Sequence, residues 1–256
     1  MKLNDKGDPV GATLLRLEGV SVLDSLGRSR LLDNVSFSIE DVGSKIGIVG
    51  ASGAGKTTLL RVLNRLIDPN AGQVFWHHKP LQTYPVPQLR QRIMLVPQEP
   101  RLLGMTVAET LAYPLQLQQC TKGLIQQRVQ DWCQRLEIPE AWQARQEFEL
   151  SVGQRQWVSL ARAFIAQPEV LLLDEPTSAL DTGRVDLLMT LLAHLDATVL
   201  MVSHQLTTIQ KVCDRILWVE QGRLAQDCLS SAMDWDNLKM VLTKAAASSE
   251  SEAEDF

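Results

Sequence analysis

The run Gly50-Ala51-Ser52-Gly53-Ala54-Gly55-Lys56-Thr57 constrains the fold of this 256-residue chain more than any other segment. It is entered from a short apolar stretch, Ile46-Gly47-Ile48-Val49, of the kind expected for a buried central strand. It is left by Leu59, Leu60, Leu63, Leu66 and Ile67 at helical spacing, until Asp68-Pro69 stops the pattern. The run matches G-x-x-x-x-G-K-[ST], with Thr58 following. In such a loop, successive backbone N–H groups point inward, glycines permit close approach, and the helix start adds partial positive charge. Phosphate oxygens are the natural occupant. Lys56 is placed to neutralise β- and γ-phosphates, and the Thr57 hydroxyl to ligate Mg²⁺. The loop therefore predicts nucleotide binding by Gly50, Ala51, Ser52, Gly53, Ala54, Gly55, Lys56, Thr57 and Thr58. Alone it leaves kinases, GTPases and motor ATPases open.

The rest of the chain reads as an α/β fold with two additions. Leu15, Leu17, Val20 and Val22 alternate in part, a turn is expected around Gly27, and Val35-Ser36-Phe37-Ser38-Ile39 forms a second strand-like run. These predict an antiparallel β subdomain at the N-terminus. Residues 72–76 and 93–96 read as further strands. Residues 107–146 turn helical and glutamine-rich, with Leu124, Val129, Trp132, Cys133 and Leu136 spaced for one buried face. They read as a helical subdomain, spanning about residues 99–165, inserted between two halves of the core. Residues 170–173 and 198–202 are apolar runs separated by a helix, an order that implies a mostly parallel sheet with flanking helices. Residues 216–219, then Gln221-Gly222, read as a terminal hairpin. The folded domain is expected over residues 12–243. Disordered ends are expected at 1–11 and 244–256, the latter being alanine, serine and acid.

Hydrophobic residues make up 45% of the chain and charged residues 21%, as in ordinary globular domains. The net charge of -5 argues against a direct nucleic-acid partner, which usually demands a basic face. Cys120, Cys133, Cys213 and Cys228 are scattered without metal-ligand spacing. No apolar run reaches the roughly 20 residues needed to cross a bilayer, and the N-terminus lacks a secretory apolar core, so a cytoplasmic location is expected.

Val170-Leu171-Leu172-Leu173 ends in Asp174-Glu175, which places two carboxylates at the C-terminal end of a buried strand, where ligands of α/β sheets collect. Asp174 suits Mg²⁺, and Glu175 suits a general base acting on the attacking water. Pro176-Thr177-Ser178-Ala179-Leu180-Asp181 follows, and Leu150-Ser151-Val152-Gly153-Gln154 precedes. Together these resemble the D-loop, Walker B strand and signature motif of ATP-binding-cassette (ABC) ATPases. Val202-Ser203-His204 ends the next strand and is similar to the switch-histidine segment, with His204 sensing the γ-phosphate. Val96-Pro97-Gln98 resembles the Q-loop, which would bring Gln98 toward Mg²⁺ and the attacking water. His77, His78 and His194 have no such context.

The resemblance covers about residues 14–229, with every motif in family order. It implies a P-loop NTPase core whose helical subdomain carries the signature. It also implies a head-to-tail homodimer with each ATP between one phosphate loop and the partner's signature, where Ser151 and the Gly153 backbone would touch the γ-phosphate. Three positions depart from the pattern. Val152 replaces a glycine, which is harmless if that position is helical and weakens binding if it needs φ > 0. Trp157 replaces an arginine and either packs on a membrane partner or fills the core. No aromatic residue lies between Val20 and Leu32 to stack on adenine, so weak discrimination between ATP and GTP is expected.

One set of motifs fills the chain, with no coiled-coil insertion of the repair type and no second cassette of the translation type. The resemblance therefore implies the ATPase subunit of a transporter, peripheral on the inner face of the membrane through a separate permease. Gln98-Glu99-Pro100-Arg101-Leu102-Leu103-Gly104-Met105-Thr106-Val107 is similar to the iron-efflux and nucleotide-sugar-export type, which favours metal-ion or small-solute efflux. A small-solute importer and a soluble ABC ATPase are the alternatives.

Overall fold

The computed structural model describes residues 13–40 and 42–254. In chain order, β1 (Leu15–Leu23) and β2 (Arg30–Ile39) precede β3 (Lys45–Val49), α1 (Lys56–Leu63), β4 (Ala71–Trp76), β5 (Lys79–Pro80), α2 (Val86–Arg92) and β6 (Ile93–Val96). Three helices follow: α3 (Val107–Leu117), α4 (Lys122–Arg135) and α5 (Val152–Ala166). The chain then returns to the sheet through β7 (Val170–Asp174), α6 (Thr182–Ala193), β8 (Thr198–Val202), α7 (Leu206–Val212), β9 (Arg215–Glu220) and β10 (Arg223–Leu229), and ends in α8 (Trp235–Glu254).

Two sheets result. The antiparallel sheet has the order β2-β1-β4-β5. Leu15, Leu17, Val20 and Val22 are all buried, although the step from 17 to 20 breaks a period of two. A register shift between Leu17 and Val20 absorbs the extra residue and keeps all four side chains inward. The second sheet has the order β10-β9-β3-β8-β7-β6, parallel except for β10 at its edge. Every residue of β3, β7 and β8 is buried, as a sheet covered on both faces requires. Leu171, Leu173, Val199 and Met201 face a core shared with α3, α5, α6 and α7. Val170, Leu172, Leu200 and Val202 face a second core shared with α1 and the antiparallel sheet.

The inserted helices form where expected, each with a side-chain cap. Thr106 and Glu109 make a reciprocal capping box on α3, and Thr121 caps α4. The buried stripe of α4 differs from the expectation by one position. Leu124 is exposed, whereas Ile125, Val129, Trp132 and Cys133 pack inward, because the i, i+4, i+7, i+8 repeat starts at Ile125. Trp132 stacks on Phe164 of α5 at 5.2 Å, joining the insertion to the core.

Two further expectations are corrected. The helix after the glycine loop ends at Leu63 rather than continuing to Ile67. Asn64 caps it, Arg65 takes a left-handed φ of 53°, and Leu66 is left exposed. The tail expected to be disordered from 244 is helical to Glu254. Its first turn is anchored by Leu238, fully buried, and by Trp235, whose Nε1–H donates to Ser230 O at 3.0 Å. An anchored first turn removes the nucleation cost, and the helix propagates from it. The expected disordered segment 1–11 lies outside the described residues. No described helix is long and apolar enough to cross a membrane.

Candidate active site at the C-terminal edge of the parallel sheet

Neighbouring parallel strands end side by side, so residues distant in sequence meet at one edge. The register pairs Ile48 with Val202, and Asp174 with Val202. The loop after β3, the carboxylates ending β7 and the histidine after β8 therefore share that edge. Thr57 Oγ1 donates to Asp174 Oδ1 at 3.0 Å, across 117 residues of chain.

The loop 50–57 leaves its helix start open. Gly55 caps α1 in the left-handed region with no side-chain bond, and the first turn carries no acid. The glycine is also sterically required, because a Cβ there would come within 2.4 Å of Leu31 O. Lys56 is buried, and its Nζ donates to Gly50 O at 2.9 Å and Ala51 O at 2.7 Å. Burial pushes its pKa down, against the pull of Glu175 and Asp174. Ser52 and Gly53 form the exposed tip, Ala54 is buried beneath them, and Thr58 sits half-buried in the first turn of α1.

Asp174 and Glu175 are both buried. Burial raises the Asp174 carboxyl above its ordinary range, opposed by the Thr57 hydrogen bond and by the charges of Arg61, Lys56 and His204. Arg61, one turn along α1, is a contributor that no motif pointed to. Glu175 holds φ at 50°, a region that costs an L-residue about 1–2 kcal/mol. Two bonds hold it there: Glu175 N–H donates to Val202 O at 3.0 Å, and Glu175 Oε2 accepts from His204 N–H at 3.1 Å. His204 Nε2 stands 3.3 Å from Glu175 Oε1, at ion-pair distance but without hydrogen-bonding geometry. That leaves Oε1 as a buried acceptor with lone pairs to offer.

Gln98 leaves the same edge, since Val96 pairs with Leu173. Its side chain is exposed and lines a groove with Glu147, Phe148, Val152 and Arg155, without a hydrogen bond to Thr57 or Asp174. Ser151 lies elsewhere. It caps α5, its Oγ accepting from Gln154 N–H at 3.2 Å while Gln154 Oε1 accepts from Ser151 N–H. Neither residue bonds to the chain's own loop 50–57. Gly153 brings the start of α5 against the segment after β7, where a Cβ would meet Ala179 O at 2.3 Å. Val152 is the first residue of α5 and so needs no positive φ. Trp157 resolves toward the core: it is 1% exposed, donates from Nε1 to Leu136 O at 2.8 Å, and lies under Arg184.

Asp174 and Thr57 together fit a hard cation, being two oxygen donors within 3.0 Å of each other. Among the described residues no group of three or more His, Cys, Asp or Glu could hold a metal unaided. Mg²⁺ is commonly bound by one or two carboxylates together with substrate phosphates, which this donor set suits.

Residues 32–178 match the family described as ABC transporter. The methionine import ATP-binding protein MetN of Caulobacter vibrioides is 34% identical over 222 residues, covering 84% of this chain and 66% of that protein. MetN 1 of Listeria monocytogenes is 39% identical over 203 residues, covering 75% of this chain and 59% of that protein. The chain thus spans about three fifths of the length of such relatives. Among solved structures, a dimeric ATP-binding cassette in a post-hydrolysis state with ADP and Pi is similar at a TM-score of 0.75 and 25% identity, covering 86% of this chain and all of that one. The cbiO1 subunit from Clostridium perfringens, part of the ABC transporter complex cbiONQ, is similar at 0.73 and 25%, covering 86% and 90%.

Proposed function

The chain belongs to the ABC transporter family of ATP-binding domains, and on that premise we propose that it binds Mg²⁺-ATP and hydrolyses it to drive a separate membrane permease. The observation that carries this reading is the juxtaposition of the open, lysine-bearing loop with the Asp174–Glu175 pair and His204 on one sheet edge. Backbone N–H groups of residues 50–57 and Lys56 receive the phosphates, while Thr57 and Asp174 hold Mg²⁺, which supplies charge neutralisation on the phosphate oxygens. Glu175 orients and deprotonates water through its buried Oε1, and the backbone of His204 fixes the other carboxylate oxygen. The histidine ring, 60% exposed, is free to meet the terminal phosphate. Gln98 joins the site by movement of its loop.

Ser151 and Gly153 act on the nucleotide of a second copy. What supports this is their placement away from the chain's own loop, together with a similar cassette solved as a dimer. Through the permease the protein sits peripherally at the membrane. For the cargo, the relatives named as methionine import proteins favour small-solute import over efflux.

Glu175→Gln tests the reading. It should retain ATP binding, accumulate an ATP-bound dimer on gel filtration, and lower the hydrolysis rate at least 100-fold. Near-normal hydrolysis in that variant would remove Glu175 from the role of base.

A further inference from the structure

The loop after β3 has unlike neighbours on its two sides. β8 and β7 lie to one side and deliver His204, Asp174 and Glu175, while β9 and β10 lie to the other. A triphosphate whose terminal phosphate faces the carboxylates directs its nucleoside toward the turn between β9 and β10 and the start of β2. Those segments touch the loop. Gly222 N–H donates to Ala54 O at 3.0 Å, Asp33 N–H donates to Gly222 O at 2.8 Å, and Gly55 packs on Leu31 O.

Arg30 and Arg223 follow directly from these contacts, one residue from Leu31 and one from Gly222. Both grip the same carboxylate. Arg223 donates to Asp33 Oδ2 from Nε at 2.8 Å and also pairs with it through Nη2 at 2.6 Å, while Arg30 Nη1 donates to Oδ1. The Asp33 side chain is only 10% exposed, whereas those of Arg30 and Arg223 are 64% and 72% exposed. A shared, nearly buried anchor thus fixes two planar cations beside the phosphate loop and leaves them open to solvent. Guanidinium planes stack on aromatic and base rings.

We propose that Arg30 and Arg223, braced by Asp33, form the base-side wall of the nucleotide site and receive a purine ring on a guanidinium face. The inference rests on the nucleotide-binding reading above. It makes the pair specificity-determining, with adenine and guanine accepted alike, because a stacked cation reads the ring rather than its edge.

The test measures dissociation constants of the full chain, with Mg²⁺, for ATP, GTP and inorganic tripolyphosphate, in the wild type, Arg30→Ala, Arg223→Ala and Arg30→Trp. Both arginines are exposed, so their removal spares the core, and a melting curve verifies this. Wild type should bind ATP and GTP within threefold of each other and more tightly than tripolyphosphate. Each alanine variant should weaken both nucleotides about tenfold, the scale of one lost stacking contact, and leave tripolyphosphate unchanged. Arg30→Trp should restore nucleotide affinity. Equal loss for tripolyphosphate would reduce the pair to phosphate attraction and overturn the proposal, as would unchanged nucleotide affinity in both alanine variants. Failure of the wild type to bind any of the three ligands would instead defeat the nucleotide reading itself.

Discussion

Burial works against the charged forms of both Asp174 and Lys56, raising the carboxyl's pKa and lowering the ammonium's. The Asp174 carboxyl is pushed above its ordinary pKa, chiefly by desolvation. A raised folded-state pKa means that stability from this group is full at low pH and is lost as pH rises through the folded value. Ionising Asp174 therefore burdens the nucleotide-free fold. Asp174→Asn keeps an acceptor for the Thr57 hydroxyl and removes the charge. It should stabilise the nucleotide-free protein by about 0.5–2 kcal/mol in thermal unfolding while reducing Mg²⁺-dependent hydrolysis to background. A lower melting temperature in the variant would show that Asp174 is net favourable in the empty fold. Glu175 illustrates a different tension at the same scale. Its left-handed backbone is held by Val202 and His204, so strain and carboxylate orientation are set together.

Among the elements, α5 does the most joining. Its N-terminus packs on the backbone of Ala179, its middle buries Trp157, and Phe164 near its end stacks on Trp132 of α4. One helix thus ties the inserted subdomain both to the segment after β7 and to the sheet. Trp157→Phe preserves most of the buried ring but leaves Leu136 O without its donor. The expected loss is about 1–2 kcal/mol in denaturant unfolding, with ATP affinity retained. Trp157→Ala adds a cavity and should cost about 3–5 kcal/mol. A stability unchanged in both variants would contradict the core role. The partial legibility of α4 belongs to this scale too. Periodicity located the helix, but Leu124 and Ile125 differ only in which one the α5 side faces, and no local pattern decides between adjacent apolar residues.

Across the whole molecule, polar contacts join the two sheets at both ends: Arg223 with Asp33 and Arg215 with Ser38 O on one side, and Glu169 far from the nucleotide edge. Glu169, just before β7, accepts from His77 Nε2 and Arg92 Nη2, both at 2.9 Å, so it joins the end of β4 to the core. Desolvation raises the Glu169 pKa, but His77 and Arg92 together outweigh it and the net shift is downward. A depressed carboxyl contributes stability that is present above its unfolded pKa, about 4.3, and lost as pH falls through the lower folded value. Glu169→Gln should therefore cost about 1–2 kcal/mol near pH 7 and flatten the acid limb of the stability curve. A parallel acid limb in the two proteins would remove Glu169 as its source. His77 carried no signal in sequence, because its partner stands 92 residues away. Several determinants were local and therefore readable: the glycine loop between an apolar strand and a helix, the acids Asp174 and Glu175 at the end of β7, and the parallel order of β7, α6 and β8. Each depends on backbone dihedrals, capping or periodicity within a few residues. Four outcomes instead needed the tertiary structure: the inward turn of Trp157, the register slip that buries Val20, the anchoring of α8, and the Arg30–Asp33–Arg223 grouping. All four depend on which surfaces meet, and contact between residues far apart in the chain leaves no periodic trace in the sequence.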